Sequence, residues 1–274
     1  FHSILQPRLN PIDGSYVEMI NHALDLIEEE KYRALVIGHE GPNFSAGANL
    51  NLFLELSEDQ QWETLNFAVR TFQSMTQRIR FSKGPVVAAP FQLTLGGGTE
   101  IIQPAAHRVA SAETYMGFVE LGVGLIPGGG GTLRMILNAM DEDTGRIGAF
   151  QKIQKTFETI GFAKVATSAD EAKHLGLLKK DDTVILNRDH LIKAAKDKAI
   201  ELANGYIPPK YNDGLKLPGA GGRTAMAMAL KGFKLQGKIS DHDVKIGEKL
   251  AYVLTGGDQA GLTKKVDEQY ILDI

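Results

Sequence analysis

The sequence has no cysteine, and that absence removes disulfides, thiolate nucleophiles and thiolate metal sites together. It fits a reducing compartment, and a cytoplasmic location is expected. Long apolar runs are missing as well: nothing approaches the roughly 18–20 uninterrupted apolar residues of a membrane helix. Basic excess is absent. With 30 Lys and Arg against 33 Asp and Glu, the formal charge is −3, which argues against a nucleic-acid-binding surface. The start, Phe1-His2-Ser3-Ile4-Leu5, has no basic segment followed by an apolar one, so no signal peptide is expected. It also lacks an initial Met, so a processed product or a piece of a longer chain is expected.

Glycine is what the chain has in plenty. Its 30 glycines gather in Gly96-Gly97-Gly98, Gly128-Gly129-Gly130-Gly131 and Gly221-Gly222. Clustered glycine marks backbone in unusual conformations, or backbone approached closely by something else, and that is where chemistry is sought. At 274 residues, 43% of them apolar, the chain is long enough for a sizeable core.

Ser15-Tyr16-Val17-Glu18 has the form of a capping box, and Ile20, Ala23, Leu24 and Ile27 follow at helical spacing, which predicts a helix ending near Glu30. Ala34–Ile37 and Pro85–Ala89 are short apolar runs of the kind buried on both faces of a parallel sheet. Between them a loop from Gly41 to Gly47 leads to a helix capped by Ser57 and running to about Arg80. Arg108–Ser111 and Tyr115–Phe118 predict further strands. Helical patterns over 145–160 and 168–176 follow, the second capped near Thr167–Asp170. A Gly- and Pro-rich loop begins at Tyr206, and helix returns from Arg223 to about Gln269. Strand, loop and helix in alternation predict a layered α/β core over residues 1–204 and a helical C-terminal section over 205–274.

Several motifs fail on inspection. Gly232–Ile239 nearly spells a phosphate-binding loop, but Ile239 replaces the required Ser or Thr and a helix precedes it. Neither long glycine cluster gives a dinucleotide fingerprint, so no NAD site is expected. Asp241-His242-Asp243 fits a solvated helix cap better than a metal site, and no metal is expected. His107, beside Arg108, fits a structural role. Ser45 and Ser111 have no supporting base.

Three segments in order resemble the enoyl-CoA hydratase/isomerase (crotonase) family. They are Ala34–Gly38 leading to Phe44-Ser45-Ala46-Gly47-Ala48-Asn49-Leu50; Pro85–Ala89 leading to Leu95-Gly96-Gly97-Gly98-Thr99-Glu100; and Phe118–Gly122 followed by Leu125–Thr132. The resemblance covers roughly residues 1 to 190. It implies the crotonase (ClpP-like) ββα spiral core and an acyl-CoA thioester substrate, CoA being part of the substrate and not a separate cofactor. By resemblance, the N–H groups of Ala48 and Gly97 form an oxyanion hole. Glu100 and Glu120 fall where the family's hydratases carry glutamates, Glu100 to hold and activate water and Glu120 to supply the α-proton. Arg8, Ala46, Leu50 and Gly96 are the expected substrate contacts.

The chemistry suits these residue types. Hydrating a 2-enoyl thioester passes through an enolate-like state, which two preorganised N–H donors stabilise. One ionised and one protonated carboxyl can then handle the water and the α-proton. Asn49 and Asn51 depart from the family, which commonly has Asp and a basic residue there, so the family's CoA-nucleotide contacts do not carry over at those positions. The chain is also longer than small stand-alone hydratases between Asn138 and Phe157. That length resembles the hydratase portion of a multifunctional β-oxidation protein, fused to a 3-hydroxyacyl-CoA dehydrogenase in the parent chain; a homo-oligomer, trimer or hexamer, is the other expected association. Two other readings stand: an enoyl-CoA isomerase, which would do without Glu100, and a non-catalytic acyl-CoA-binding or interaction module.

Overall fold

The computed structural model describes residues 9–141, 147–261 and 263–274. Arg8, and the start of the helix expected over 145–160, lie outside the described residues. In chain order the elements are α1 (Gly14–Glu28), β1 (Leu35–Ile37), α2 (Leu50–Glu58), α3 (Trp62–Phe81), β2 (Val86–Ala88), β3 (Gln92–Leu95), α4 (Gly97–Ile102), β4 (His107–Ser111) and β5 (Thr114–Gly117). Then come α5 (Gly131–Asp141), α6 (Ala149–Gly161), β6 (Val165–Ala166), α7 (Ala169–His174), β7 (Thr183–Ile185), α8 (Leu191–Leu202), α9 (Gly219–Leu235), α10 (Asp241–Leu254) and α11 (Glu268–Asp273). No described helix is long and apolar enough to cross a membrane.

The chain divides into two compact units, Phe1–Gly117 with Val165–Lys210, and Phe118–Lys164 with Tyr211–Ile274. Residues 118–164, which the sequence pattern assigns to the 1–204 core, therefore group with the C-terminal helices. Contiguity in sequence hid this, because the grouping is made by contacts and not by a linker.

In the first unit, β1, β2, β4 and β7 form a parallel sheet in that order, with Leu35 opposite Val86 and Val87 opposite His107. β2 is fully buried, as its unbroken Val86-Val87-Ala88 requires. A second sheet has the order β3-β5-β6, with β3 and β5 parallel and β6 antiparallel. Strands come in successive pairs: β2 feeds β3 and β4 feeds β5. β1 likewise leads to Ser45, which bridges Thr94 in the second sheet. Each turn thus gives one strand to each sheet, which is the repeating advance of a ββα spiral.

Local chemistry corrects two expected caps. Asp13, not Ser15, caps α1: its carboxylate accepts from Tyr16 N at 3.0 Å and from the Ser15 hydroxyl at 2.6 Å. α1 buries Val17, Ile20, Leu24 and Ile27 at helical spacing, the larger of them contributing about 1.5–3 kcal/mol each. The helix expected from Ser57 to about Arg80 starts instead at Trp62, as α3, and Ser57 sits in the last turn of the preceding α2. α3 packs on α1, and Arg78 donates to Asn21 Oδ1 at 2.8 Å.

The second unit is helical. α9 and α10 lie close enough that a Cβ at Gly247 would meet Leu230 Cδ2 at 2.8 Å. α10 starts at Ser240, whose hydroxyl caps Asp243 N while the Asp243 carboxylate accepts from Ser240 N, so Asp241-His242-Asp243 is the first turn of a capped helix. Arg134 in α5 faces the fully buried Glu268 at the head of α11, 3.8 Å away.

Candidate active site

β2 ends at Ala88, and the chain bends through Ala89-Pro90-Phe91 to enter β3 at Gln92, whose φ is 45°. β3 ends at Leu95. Gly96 follows with φ 52° and ψ −122°, a conformation open only to glycine, and α4 begins at once. Thr99 ties that start down, its hydroxyl donating to Thr94 O at 2.7 Å and to Gly117 O at 3.2 Å. Glu100 N donates to Gly96 O, closing the first turn, and the Glu100 side chain is buried.

A second segment lies alongside. Ser45 N donates to Leu93 O and Leu95 N to Ser45 O, both at 2.9 Å, which adds Phe44–Gly47 to the edge of β3. The two backbones are in close approach. A Cβ at Gly98 would lie 2.9 Å from Ser45 O, and one at Gly47, where φ is 99°, would lie 3.3 Å from Gly97 N. A Cβ at Gly97 would lie 3.6 Å from Ala48 N. Since a Cβ sits about 2.5 Å from its own amide nitrogen, the Ala48 and Gly97 nitrogens are at most about 6 Å apart.

An account of the amides singles out the same pair. Ala46 N donates to Leu9 O, Gly47 N to Ser45 Oγ and Gly96 N to Gly117 O. Among the described residues, the N–H groups of Ala48 and Gly97 donate to no acceptor of the chain. Ala48 is exposed and Gly97 buried. Two nearby donors, with a buried carboxyl one turn further on, can hold a carbonyl oxygen that gathers negative charge.

The first unit therefore brings together Ala48, Gly96, Gly97 and Glu100, with Ala46 half-buried in the same segment. Leu50 opens α2 and is 47% exposed. Asn49 caps that helix, its side chain accepting from Asn51 N at 3.2 Å. Glu120 belongs to the other unit, where it begins a 3-10 turn, Glu120–Val123, and is half-buried. Leu125 N donates to its carbonyl at 3.0 Å and Gly124 closes the turn in the left-handed conformation. Among the described residues no group of three His, Asp or Glu side chains gathers as a metal site.

Two features escaped the sequence reading. The Ser45 hydroxyl is a hub that donates to Asn10 O at 2.8 Å and accepts from Gly47 N at 3.1 Å. The segment Leu9–Ile12 pairs with Ala46–Ala48, and nothing in its composition signalled that.

A family model for enoyl-CoA hydratase/isomerase matches residues 6–201. A Bacillus subtilis protein named "Probable 3-hydroxyacyl-CoA dehydrogenase" is 43% identical over 274 residues, covering 100% of this chain and 34% of that protein. The human protein named "Methylglutaconyl-CoA hydratase, mitochondrial" is 30% identical over 201 residues, covering 73% of this chain and 53% of its own length. The chain spans about a third of the length of the first curated relatives it matches. The crystal structure of an enoyl-CoA hydratase from Bacillus anthracis superposes with a TM-score of 0.58 at 24% identity, covering 90% of this chain and 82% of that one. The fold is thus the crotonase fold, and the chain belongs to the enoyl-CoA hydratase/isomerase family.

Proposed function

We propose that the chain is an enoyl-CoA hydratase, adding water reversibly to a trans-2-enoyl-CoA to give the 3-hydroxyacyl-CoA. The observation that carries this reading is the close approach of the Ala48 and Gly97 amides, with Glu100 buried in the first turn of α4. In this reading the thioester carbonyl oxygen lies between the two N–H groups. As the water oxygen bonds to C3, an electron pair moves through C2 onto the thioester oxygen, and the two donors stabilise the resulting enolate. Losing one such donor typically lowers the rate by about 10²–10³.

Glu100 holds the attacking water and takes its proton, while Glu120 delivers a proton to C2; the water's hydroxyl and one hydrogen end on adjacent carbons. A B. subtilis relative carries the name of a 3-hydroxyacyl-CoA dehydrogenase, and that class of reaction would consume the product of hydration. Acyl-CoA is the substrate, Ala46, Leu50 and Gly96 line its approach, and no separate cofactor takes part.

The test is loss of conjugated-thioester absorbance with crotonyl-CoA and longer 2-enoyl-CoAs. Glu100→Gln and Glu120→Gln should each lower kcat by about 10²–10⁴ with folding intact. No turnover at any chain length would remove the reading. Full activity of Glu100→Gln on a 3-enoyl-CoA, without hydration by the parent, would turn it into an isomerase.

A further inference from the structure

The segment Leu9–Ile12 is tied to Phe44–Ala48 at Leu9, Asn10 and Ile12. Ala46 N donates to Leu9 O at 2.8 Å, Ile12 N to Gly47 O at 2.9 Å, and Ile12 pairs with Ala48 as an isolated parallel bridge. Asn10 adds two more ties between these. Its carbonyl oxygen accepts from Ser45 Oγ at 2.8 Å, and its Nδ2 donates to Phe44 O at 2.5 Å. His39 braces the same oxygen. Its Nδ1 accepts from Gly41 N, and Nε2 lies 2.9 Å from both Phe44 O and Asn10 Nδ2, so with the ring proton on Nε2 it donates to Phe44 O.

Asn10 is held there at a cost that lies in an unsatisfied oxygen, since Asn tolerates the left-handed backbone better than most residues. Its φ is 46°, in the left-handed region that favours glycine, and its buried Oδ1 finds no hydrogen-bond partner among the described residues. Such a residue persists only where its surroundings over-determine it, and strain of this kind clusters at functional sites. The segment also reaches the second donor: Ile12 Cδ1 would lie 3.1 Å from a Cβ placed on Gly97. One short strap therefore pairs with the backbone at Ala48 and fills the space beside Gly97.

We propose that Asn10 is a positioning residue that latches Leu9–Ile12 against Phe44–Ala48 and so sets the direction of the Ala48 N–H. This rests on the acyl-CoA reading above. The latch acts through Ala48 and touches no reacting atom, so its loss should alter polarisation of the thioester more than its binding.

The test uses Asn10→Gly, which accepts the left-handed backbone without strain but deletes the tie to Phe44 O. Asn10→Asp is the second variant, which tolerates the conformation but, when ionised, has no hydrogen to donate. The probe is butyryl-CoA labelled at the carbonyl carbon, a saturated thioester that neither hydrates nor isomerises, followed by infrared difference spectroscopy. In the parent its carbonyl stretch should shift to lower frequency on binding. In both variants that shift should shrink, with kcat for crotonyl-CoA at least about tenfold lower and KM changed less than about threefold. Parental kcat and carbonyl shift in either folded variant would overturn the latch, as would a raised KM with kcat kept. Unfolding of both variants would make Asn10 a folding residue and overturn the positioning role. If the parent binds butyryl-CoA with a carbonyl shift that the variants lose, yet hydrates nothing, the hydratase reading falls and the latch stands. If the parent shows no shift, both fall.

Discussion

Gly98 meets Ser45 O at 2.9 Å and Ser45 Cβ at 3.0 Å if a Cβ is added, and neither neighbour can swing aside. Gly98→Ala should therefore destabilise by about 1–3 kcal/mol, the usual range for overpacking, seen as a lower denaturation midpoint. Gly122 offers a contrast, since a Cβ there meets nothing within 4 Å. Gly122→Ala should stay within about 0.5 kcal/mol of the parent. A loss at Gly122 as large as at Gly98 would contradict this account of the glycines. At this scale the sequence was legible in part: the triplet Gly96–Gly98 announced close approach without saying to what. Ser45, Asn10 and Ile12 gave no signal, because their role depends on which backbone they meet. Asp13 displaced Ser15 as the cap of α1 for a similar reason. Both residue types can cap, and the helix begins two residues earlier than the pattern suggests.

β4 was legible as a strand, whereas its partner β7 was not. Thr183-Val184-Ile185 is only three residues long and none is fully buried, so no apolar run marked it. Its place is fixed by the residue before it. Asp182 accepts from Arg108 N at 3.0 Å, Arg108 Nε at 2.8 Å and Lys179 N at 2.6 Å, with Arg108 only 1% exposed. Removing one side of such a pair leaves a buried charge uncompensated, so Asp182→Ala should cost about 3–5 kcal/mol in equilibrium denaturation. A change below about 1 kcal/mol would contradict the role of this pair at the seam.

His107, next along β4, donates or accepts at Thr183 Oγ1 at 2.9 Å. Burial pushes its pKa below the ordinary 6.5, with Asp182 opposing and Lys198 and Arg108 assisting. The folded state therefore keeps the ring neutral where the unfolded chain would take up a proton. Its contribution to stability is complete above about pH 6.5 and shrinks as pH falls below it. His107→Gln should flatten that part of the stability–pH curve. An unchanged slope between pH 5 and 6.5 would contradict the assignment.

Over the whole molecule, the fold class was legible because three strand-loop segments occur in order, each with a buried apolar run and a glycine exit. The grouping of residues 118–164 with Tyr211–Ile274 was not, since it arises from helix packing of α10 against α5 and α6, and of α11 against α5. Glu100 and Glu120 belong to different units, while Ala48, Gly97 and the segment Leu9–Ile12 belong to one. The chemistry of the first unit is accordingly the part to examine first. The most direct measurement is a crystal structure with a bound acyl-CoA such as butyryl-CoA. The thioester oxygen should lie about 2.7–3.1 Å from both Ala48 N and Gly97 N. An oxygen out of reach of either nitrogen, in a fully occupied complex, would contradict the account.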